Sequence, residues 1–368
     1  MANSTKRHRY EPDSVSPPGA TLHDALREKG MTQVELAERT GHSPKHISQI
    51  VHGKASIVPE TALELERVLE IPASFWNNRE RAYRDYLARA QERERLETQV
   101  DWLDRFPVAE MIERGWMRGF EDPVAQLREV LSFFGLAGPD QWQPVWRMAN
   151  YRKSAVFEVD EYALGAWLRE GERRAEAIET APYDASRFRS ALHEIRMLTR
   201  EPVRVFVEKL KDICASCGVA VVYLPQLNNT RVCGATRWLN PRKALVQMTL
   251  RYKKDDYFWF SFFHEAGHIL LHSKKSIFLD GEETLGRLEE EADEFATSFL
   301  VDQDALRKRF AGCSRIRKEE VRKFAREQGV APGIVVGQLH HHGYWPWEYG
   351  QGLKRTLCWA TDENSATA

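Results

Sequence analysis

Five residues, His264-Glu265-Ala266-Gly267-His268, break an aromatic run that opens Tyr257-Phe258-Trp259-Phe260-Ser261-Phe262-Phe263. Read as one helix, the segment sets the two histidines a single turn apart. Both imidazoles then reach one metal ion, and Glu265 lies beside them to handle a water. This is the ligand pattern of a zinc peptidase, and it obliges the chain to bring a further ligand from elsewhere. The apolar stretch from Phe258 to Leu271 is too short, and too interrupted by His264, Glu265 and His268, to span a bilayer. No membrane segment is expected.

A catalytic zinc takes three protein ligands and keeps one position open. In the pattern His-Glu-x-x-His-x-x-Gly-x-x-His the next two landmarks would be Gly at 271 and His at 274, but the chain has Leu271 and Lys274. That class is excluded. The other common solution is a Glu on a following helix, and Leu288-Glu289-Glu290-Glu291-Ala292-Asp293-Glu294-Phe295-Ala296 supplies candidates about twenty residues after His268. Glu289 is the preferred ligand, because at helical spacing it shares a face with Asp293, Ala296 and Leu300. Glu291 and, behind it, Glu290 remain alternatives. Asp293, one turn on, is placed to accept the free N–H of a ligand histidine and hold its tautomer. His272 reads as an exposed histidine at a helix end. Glu265 is the expected general base, and Tyr252, Arg251, Arg237 and His340 are candidate donors to an oxyanion.

The N-terminal third has a different grammar. Residues 1–19 mix Ser, Pro and charge without an apolar period and read as a disordered arm. Amphipathic segments follow at Leu22 to Lys29, Gln33 to Thr40, Pro44 to His52 and Glu60 to Leu69. Thr32 with Glu35 forms a capping box, Gly41 stands past the end of that helix, and Ser43 caps a helix whose first residue is Pro44. Helix, short Gly-containing turn and helix make a helix-turn-helix. The whole chain is nearly neutral, with 53 Lys+Arg against 54 Asp+Glu, so any nucleic-acid contact must come from a local patch. One exists: between Glu38 and Glu60 there is no acidic residue, while Arg39, His42, Lys45, His46, His52 and Lys54 fall there. Ser43, Lys45, His46 and Gln49 are the expected base-reading residues, with Gln33, Ser48 and Lys54 on phosphates. A single copy binds weakly, so a homodimer on a two-fold operator of double-stranded DNA is expected.

A helical stretch from Ala73 to about Glu97 carries Phe75, Trp76, Tyr83, Tyr86 and Leu87 as an apolar stripe for the first domain or a second copy. The region to Leu210 stays helical in pattern, and Trp102, Trp116, Trp142, Trp146 and Trp167 read as core. From Gly218, short β-rich runs at 219–224, 234–239 and 244–250 make a small sheet, with Asn240-Pro241 as a turn. Asp255 or Asp256 caps the metal helix, and Glu289 to Leu300 forms another. The fold class is therefore α+β: an all-α helix-turn-helix domain with trailing helix (20–97), a helical middle domain (98–210), a zincin-like domain with a small sheet (211–360), and a disordered tail (361–368). The five cysteines do not form a disulfide scaffold, and the chain opens without a signal peptide, so the cytoplasm is the expected compartment. Cys214-Ala215-Ser216-Cys217 reads as two neutral thiols at a helix end. His340-His341-His342 reads as a polar turn after Ile334 to Leu339.

Two resemblances follow. Thr21 to Leu69 resembles the Xre-type helix-turn-helix of HigA-family antitoxins, through Thr32-Gln33, Leu36-Ala37, Gly41, Ile47-Ser48, Ile50 and Gly53. The C-terminal region resembles the ImmA/IrrE metallopeptidase family, through His264-Glu265-Ala266-Gly267-His268 and Glu289-x-Glu291-Ala292-Asp293-x-Phe295-Ala296. The second resemblance implies one zinc ion per chain held by His264, His268 and Glu289, Glu265 as base, and regulated cleavage of one partner protein, typically a DNA-bound repressor. The chain departs from that family in carrying its own repressor-like domain, and in having Asp293 where Asn is frequent. Its substrate is then a repressor, a toxin or a second copy. The alternative is a non-proteolytic antitoxin or repressor whose zinc domain senses metal or binds a toxin.

Overall fold

Local capping chemistry sets the corners of the N-terminal helices. The Thr32 hydroxyl accepts the Glu35 N–H at 3.1 Å and the Glu35 carboxylate accepts the Thr32 N–H at 2.7 Å, starting α2 (Gln33–Thr40). Gly41 ends it at φ 72°, and the Ser43 hydroxyl accepts the His46 N–H to start α3 (Pro44–Val51) with Pro44 in the first turn. In the computed structural model, which describes residues 15–146, 160–272 and 282–359, these two lie among α1 (Pro18–Glu28), α4 (Pro59–Leu69) and α5 (Ala73–Glu97). Leu22, Leu36, Ile47, Ile50, Leu65 and Trp76 fill their shared core. Ala73 and Trp76 are the contribution of α5, and on the same helix the buried Glu80 carboxylate accepts the Ile57 N–H at 3.1 Å. Phe75, expected on the same stripe, is exposed.

The last two residues of the expected arm are helical. Pro18 and Gly19 form the first turn of α1, and a Cβ on Gly19 would stand 2.1 Å from the Ile50 carbonyl oxygen. The chain enters the helix where α3 leaves room for a glycine alone. Residues 1–14 of the expected arm, and the tail 361–368, lie outside the described residues.

The chain divides into two compact units: Met1–Asp101 with Asp122–Val124, and Trp102–Glu121 with Ala125–Ala368. Further helices are α6 (Val108–Glu113), α7 (Pro123–Phe134), α8 (Trp142–Trp146), α9 (Glu161–Glu176), α10 (Ala185–Met197) and α11 (Val203–Ser216). The sheet comprises β1 (Val219–Tyr223), β2 (Gly234–Asn240) and β3 (Lys243–Met248) in the order β1-β3-β2. β1 runs parallel to β3 with Val219 opposite Ala244, and β2 pairs antiparallel with Thr236 opposite Val246. Next come α12 (Asp255–Leu271), α13 (Glu282–Leu300), α14 (Gln303–Phe310), α15 (Lys318–Gln328) and α16 (Pro332–His341). Among the described residues no helix is long and apolar enough to cross a membrane.

The expected boundary near residue 210 does not divide the second unit. Phe188, Leu192, Ile195, Phe206 and Leu210 share one core with Val221, Val246, Trp259, Phe262, Phe263, Ala296 and Val335. α9 is tied in by hydrogen bonds: Trp167 Nε1 donates to the Leu224 carbonyl at 3.2 Å, and the Gln247 amide donates to the Trp167 carbonyl at 2.8 Å. α10 and α11 thus pack on the sheet and α12, whereas Trp102, Phe106, Phe134 and Trp146 of the preceding elements gather around Trp142 in an aromatic cluster of their own. The five tryptophans are buried, as expected.

Three further readings change. Asp255 and Asp256 do not cap α12; the cap is Lys254, and both acids sit buried in the first turn. Asp255 accepts from Arg355 N at 3.0 Å and from its Nε at 2.9 Å, while Asp256 pairs with the buried Lys354 ammonium at 2.6 Å. α13 starts at Glu282, not Glu289. His340 and His341 belong to the last turn of α16, and the His340 and His342 rings bond to Tyr349 O and Gln303 Oε1.

Burial raises the pKa of the Asp255 carboxyl, and the Arg355 guanidinium opposes that shift. Arg355→Ala leaves this carboxylate buried without its cation, and is expected to lower the unfolding free energy by about 3–5 kcal/mol. Urea unfolding at pH 7 measures it, and a loss well below 1 kcal/mol would contradict the assignment.

Candidate functional site

Gly267 governs how closely α12 and α13 cross. A Cβ there would lie 3.1 Å from Phe295 Cδ1 and 3.3 Å from Ala292 Cα. Small residues on both helices let the backbones approach, and the Glu289 carboxylate arrives between the two histidines. His264 Nε2 is 3.0 Å from His268 Nε2 and 3.3 Å from Glu289 Oε2, and His268 Nε2 is 3.6 Å from Glu289 Oε1. The structure thus brings His264, His268 and Glu289 into one group able to hold a metal ion. Tetrahedral zinc at about 2.0–2.1 Å from each ligand separates neighbouring ligand atoms by roughly 3.3 Å. The observed spacings straddle that value, so the donor set fits. Glu290 is exposed, and Glu291 instead meets Arg287 Nε at 2.9 Å and His272 Nε2 at 3.4 Å.

Asp293 Oδ1 lies 2.7 Å from His264 Nδ1, the arrangement expected of it. The hydrogen bond keeps a proton on Nδ1 and turns Nε2 toward the group. Burial pushes the His264 pKa down, but Asp293 and Glu289 outweigh it and raise it to about 10. His268 moves the other way, lowered by burial and by the neighbouring His264 charge. Glu265 is enclosed, and burial lifts its carboxyl to about 7 against the pull of His264. β2 closes this side: a Cβ on Gly234 would stand 3.0 Å from Glu265 Cγ and Oε1, and the Thr236 hydroxyl donates to the Glu265 carbonyl at 3.2 Å.

Sequence reasoning missed Gly234, Thr236 and His272. His272 is not exposed: its side chain is 4% accessible, and its Nδ1 sits 2.9 Å from His268 Nδ1. The signal was present, since His272 follows His268 by the same four residues that separate His264 from His268. The four oxyanion candidates are engaged as follows. Arg237 pairs with Glu172 at 2.6 Å, Arg251 donates to the Arg231 carbonyl, Tyr252 stacks on Tyr257 at 4.3 Å, and His340 bonds to Tyr349 O. Cys214 and Cys217 are buried, and burial pushes the Cys214 thiol up, so it stays neutral.

On the N-terminal unit, Ser43, Lys45 and Lys54 are exposed, and Gln33, His46, Ser48 and Gln49 are half-buried. The Ser43 hydroxyl is occupied by its cap, and the Lys54 N–H bonds back to the Gln49 carbonyl at 2.8 Å, which places Lys54 just beyond the end of α3. The basic stretch is less uniform than its sequence, because Glu64 on α4 reaches His42 Nε2 at 2.7 Å.

A raised His264 pKa means that the metal-free protein holds a proton there at neutral pH, and ligation must expel it. Raising the pH removes that proton and so favours binding. We expect about one proton released per zinc ion near pH 7.5, and affinity rising about tenfold per pH unit from 7 to 9. Calorimetric titration in buffers of differing ionisation enthalpy reads the proton count; affinity independent of pH would contradict the protonation state.

Comparison with known proteins divides along the same line. Residues 22–76 match the family model described as Helix-turn-helix, and residues 251–339 match that of the IrrE N-terminal-like domain. No curated protein matches the chain. Among solved structures, a protein described as an antidote of a plasmid maintenance system from Nostoc punctiforme is 24% identical, covering 23% of this chain and 92% of its own, with a TM-score of 0.22. An addiction module antidote protein of a HigA family from Coxiella burnetii is 25% identical over 23% of this chain and 91% of its own, with a TM-score of 0.21. The chain carries, in order, an Xre-type helix-turn-helix domain and an IrrE N-terminal-like domain of the peptidase kind.

Proposed function

We propose that the chain is a DNA-binding transcriptional regulator, antitoxin-like in layout, whose C-terminal domain is a zinc-dependent endopeptidase that cleaves a partner protein, a repressor or a toxin. The observation that carries the reading is the enclosed Glu265 carboxylate beside a preformed His264, His268 and Glu289 group. Zinc bound there supplies Lewis acidity, acidifying a water and polarising a peptide carbonyl. The protein residues do the rest. His264 and His268 present their Nε2 atoms, Asp293 holds the His264 tautomer, and Glu265 takes a proton and returns it to the leaving nitrogen. A carboxyl raised to about 7 is matched to moving protons near neutrality in both directions. A site kept for metal sensing or toxin binding has no use for such a base, which favours catalysis over the non-proteolytic reading.

The helix-turn-helix match supports DNA as the second partner. Ser43, Lys45, His46 and Gln49 lie at the start and along the length of α3, where such helices meet base edges, and Gln33, Ser48 and Lys54 flank them for phosphates. A homodimer presents two copies of this face to a two-fold operator, and a DNA target places the work in the cytoplasm.

Glu265→Gln should keep zinc and operator affinity and lower cleavage at least about 100-fold. Proteins encoded beside this chain, incubated with its zinc-loaded form and followed by mass spectrometry, provide the assay. Undiminished cleavage by the variant would sink the mechanism. Replacing Lys45, His46 and Gln49 together by Ala should weaken operator binding by about 100-fold or more, at roughly 1–3 kcal/mol per base contact. Gel-shift titration at fixed salt reads it, and unchanged affinity would reject α3 as the reading helix.

A further inference from the structure

We propose that His272 and Glu291 form a positioning arm for the ligand His268, doing for it through an intervening imidazole what Asp293 does directly for His264. The inference rests on His264, His268 and Glu289 being metal ligands.

Proton arithmetic leads there. His268 Nε2 faces the ligand group, 3.0 Å from His264 Nε2 and 3.6 Å from Glu289 Oε1, so a neutral ligand His268 carries its proton on Nδ1. That N–H needs an acceptor, and His272 Nδ1 stands 2.9 Å away. Two protonated Nδ1 atoms cannot occupy that distance, so His272 accepts on Nδ1 and bears its own proton on Nε2. His272 Nε2 in turn lies 3.4 Å from Glu291 Oε2, and Arg287 Nε holds the same carboxylate at 2.9 Å. The chain therefore runs from the His268 N–H to His272, whose Nε2 makes no hydrogen bond but faces the Glu291 anion across 3.4 Å. Glu291 polarises His272 and makes its Nδ1 a stronger acceptor, and His268 becomes a better donor to the metal.

The backbone is arranged for this. At His272 the chain has left the helix, with φ −105° and ψ 148°, yet its N–H still bonds to the His268 carbonyl at 3.3 Å. That anchor folds the ring back onto His268, with the ring centroids 4.9 Å apart and the side chain nearly sealed from solvent. His272 is not itself a ligand in this geometry, because its Nδ1 meets the outer nitrogen of His268 and not the group of Nε2 atoms. The two arms differ because Asp293 lies alongside His264, whereas the carboxylate near His268 stands one imidazole further out.

Zinc affinity, read by competition with a chromophoric chelator, tests the arm without reference to cleavage. His272→Phe keeps the bulk and removes the acceptor, and should raise the zinc Kd about 10–100-fold. His272→Asn, whose amide oxygen can accept from His268 Nδ1, should recover most of that loss, and Glu291→Gln should weaken binding only several-fold. The visible spectrum of the cobalt-substituted His272→Asn protein should keep its band positions, since the ligand set is unchanged. The arm is overturned if His272→Phe binds zinc like the parent, if Asn is as weak as Phe in a protein of native circular dichroism, or if the cobalt bands move. His264→Ala is the control: zinc retained by it would remove the metal site itself, whereas zinc lost there but kept by His272→Phe removes the arm alone.

Discussion

The separation between α12 and α13 is the quantity on which the site depends. Three ligand atoms must converge to within a few tenths of an ångström, and two are fixed to one helix while the third rides on another. Gly267 and Ala292 at the crossing set that separation by what they lack. A glycine inside a helix costs about 1 kcal/mol relative to alanine, a penalty the packing of Phe263, Ala266 and Ala296 around the crossing offsets. Gly234 plays the same part on the opposite side, where β2 abuts Glu265. α12 is thus squeezed between a helix and a strand, each brought close by an absent side chain.

Confinement has an electrostatic counterpart. Two imidazoles with Nε2 atoms 3.0 Å apart cannot both be charged, and the surroundings decide which one is. His264, against Asp293 and Glu289, keeps the proton; His268, against His264 and an imidazole, does not. Their opposite shifts express one shared charge, with carboxylates drawn to the His264 side.

Features fixed within a few residues were legible in the sequence. Thr32 with Glu35, Gly41, and Ser43 with Pro44 mark helix ends by chemistry that is complete within a turn, and the structure keeps each one. The spacing of Glu289 and Asp293 is local in the same way, because a helix face is a local property, and the structure sets both carboxylates beside His264. What failed was whatever depended on a distant partner. Asp255 and Asp256 have the composition of helix caps, and nothing near them reveals Arg355 and Lys354. α10 and α11 show apolar faces without saying what those faces cover, so the boundary drawn near 210 had no local signal against it. His272 repeats the four-residue spacing of His264 and His268, but the backbone turn that folds it inward cannot be read from its type.

The ion pairs at the head of α12 also impose an order in time. Asp255 and Arg355 are separated by 100 residues, and both charges of the pair are needed before the first turn of the metal helix can settle. At the usual 5–20 residues per second of synthesis, roughly 5–20 s pass between the emergence of one partner and the other. Helices α1 to α5 are complete long before then. The nascent chain therefore owns a finished helix-turn-helix while its metal helix still waits for its counter-charges, and the ligand group takes shape after translation has moved well past it.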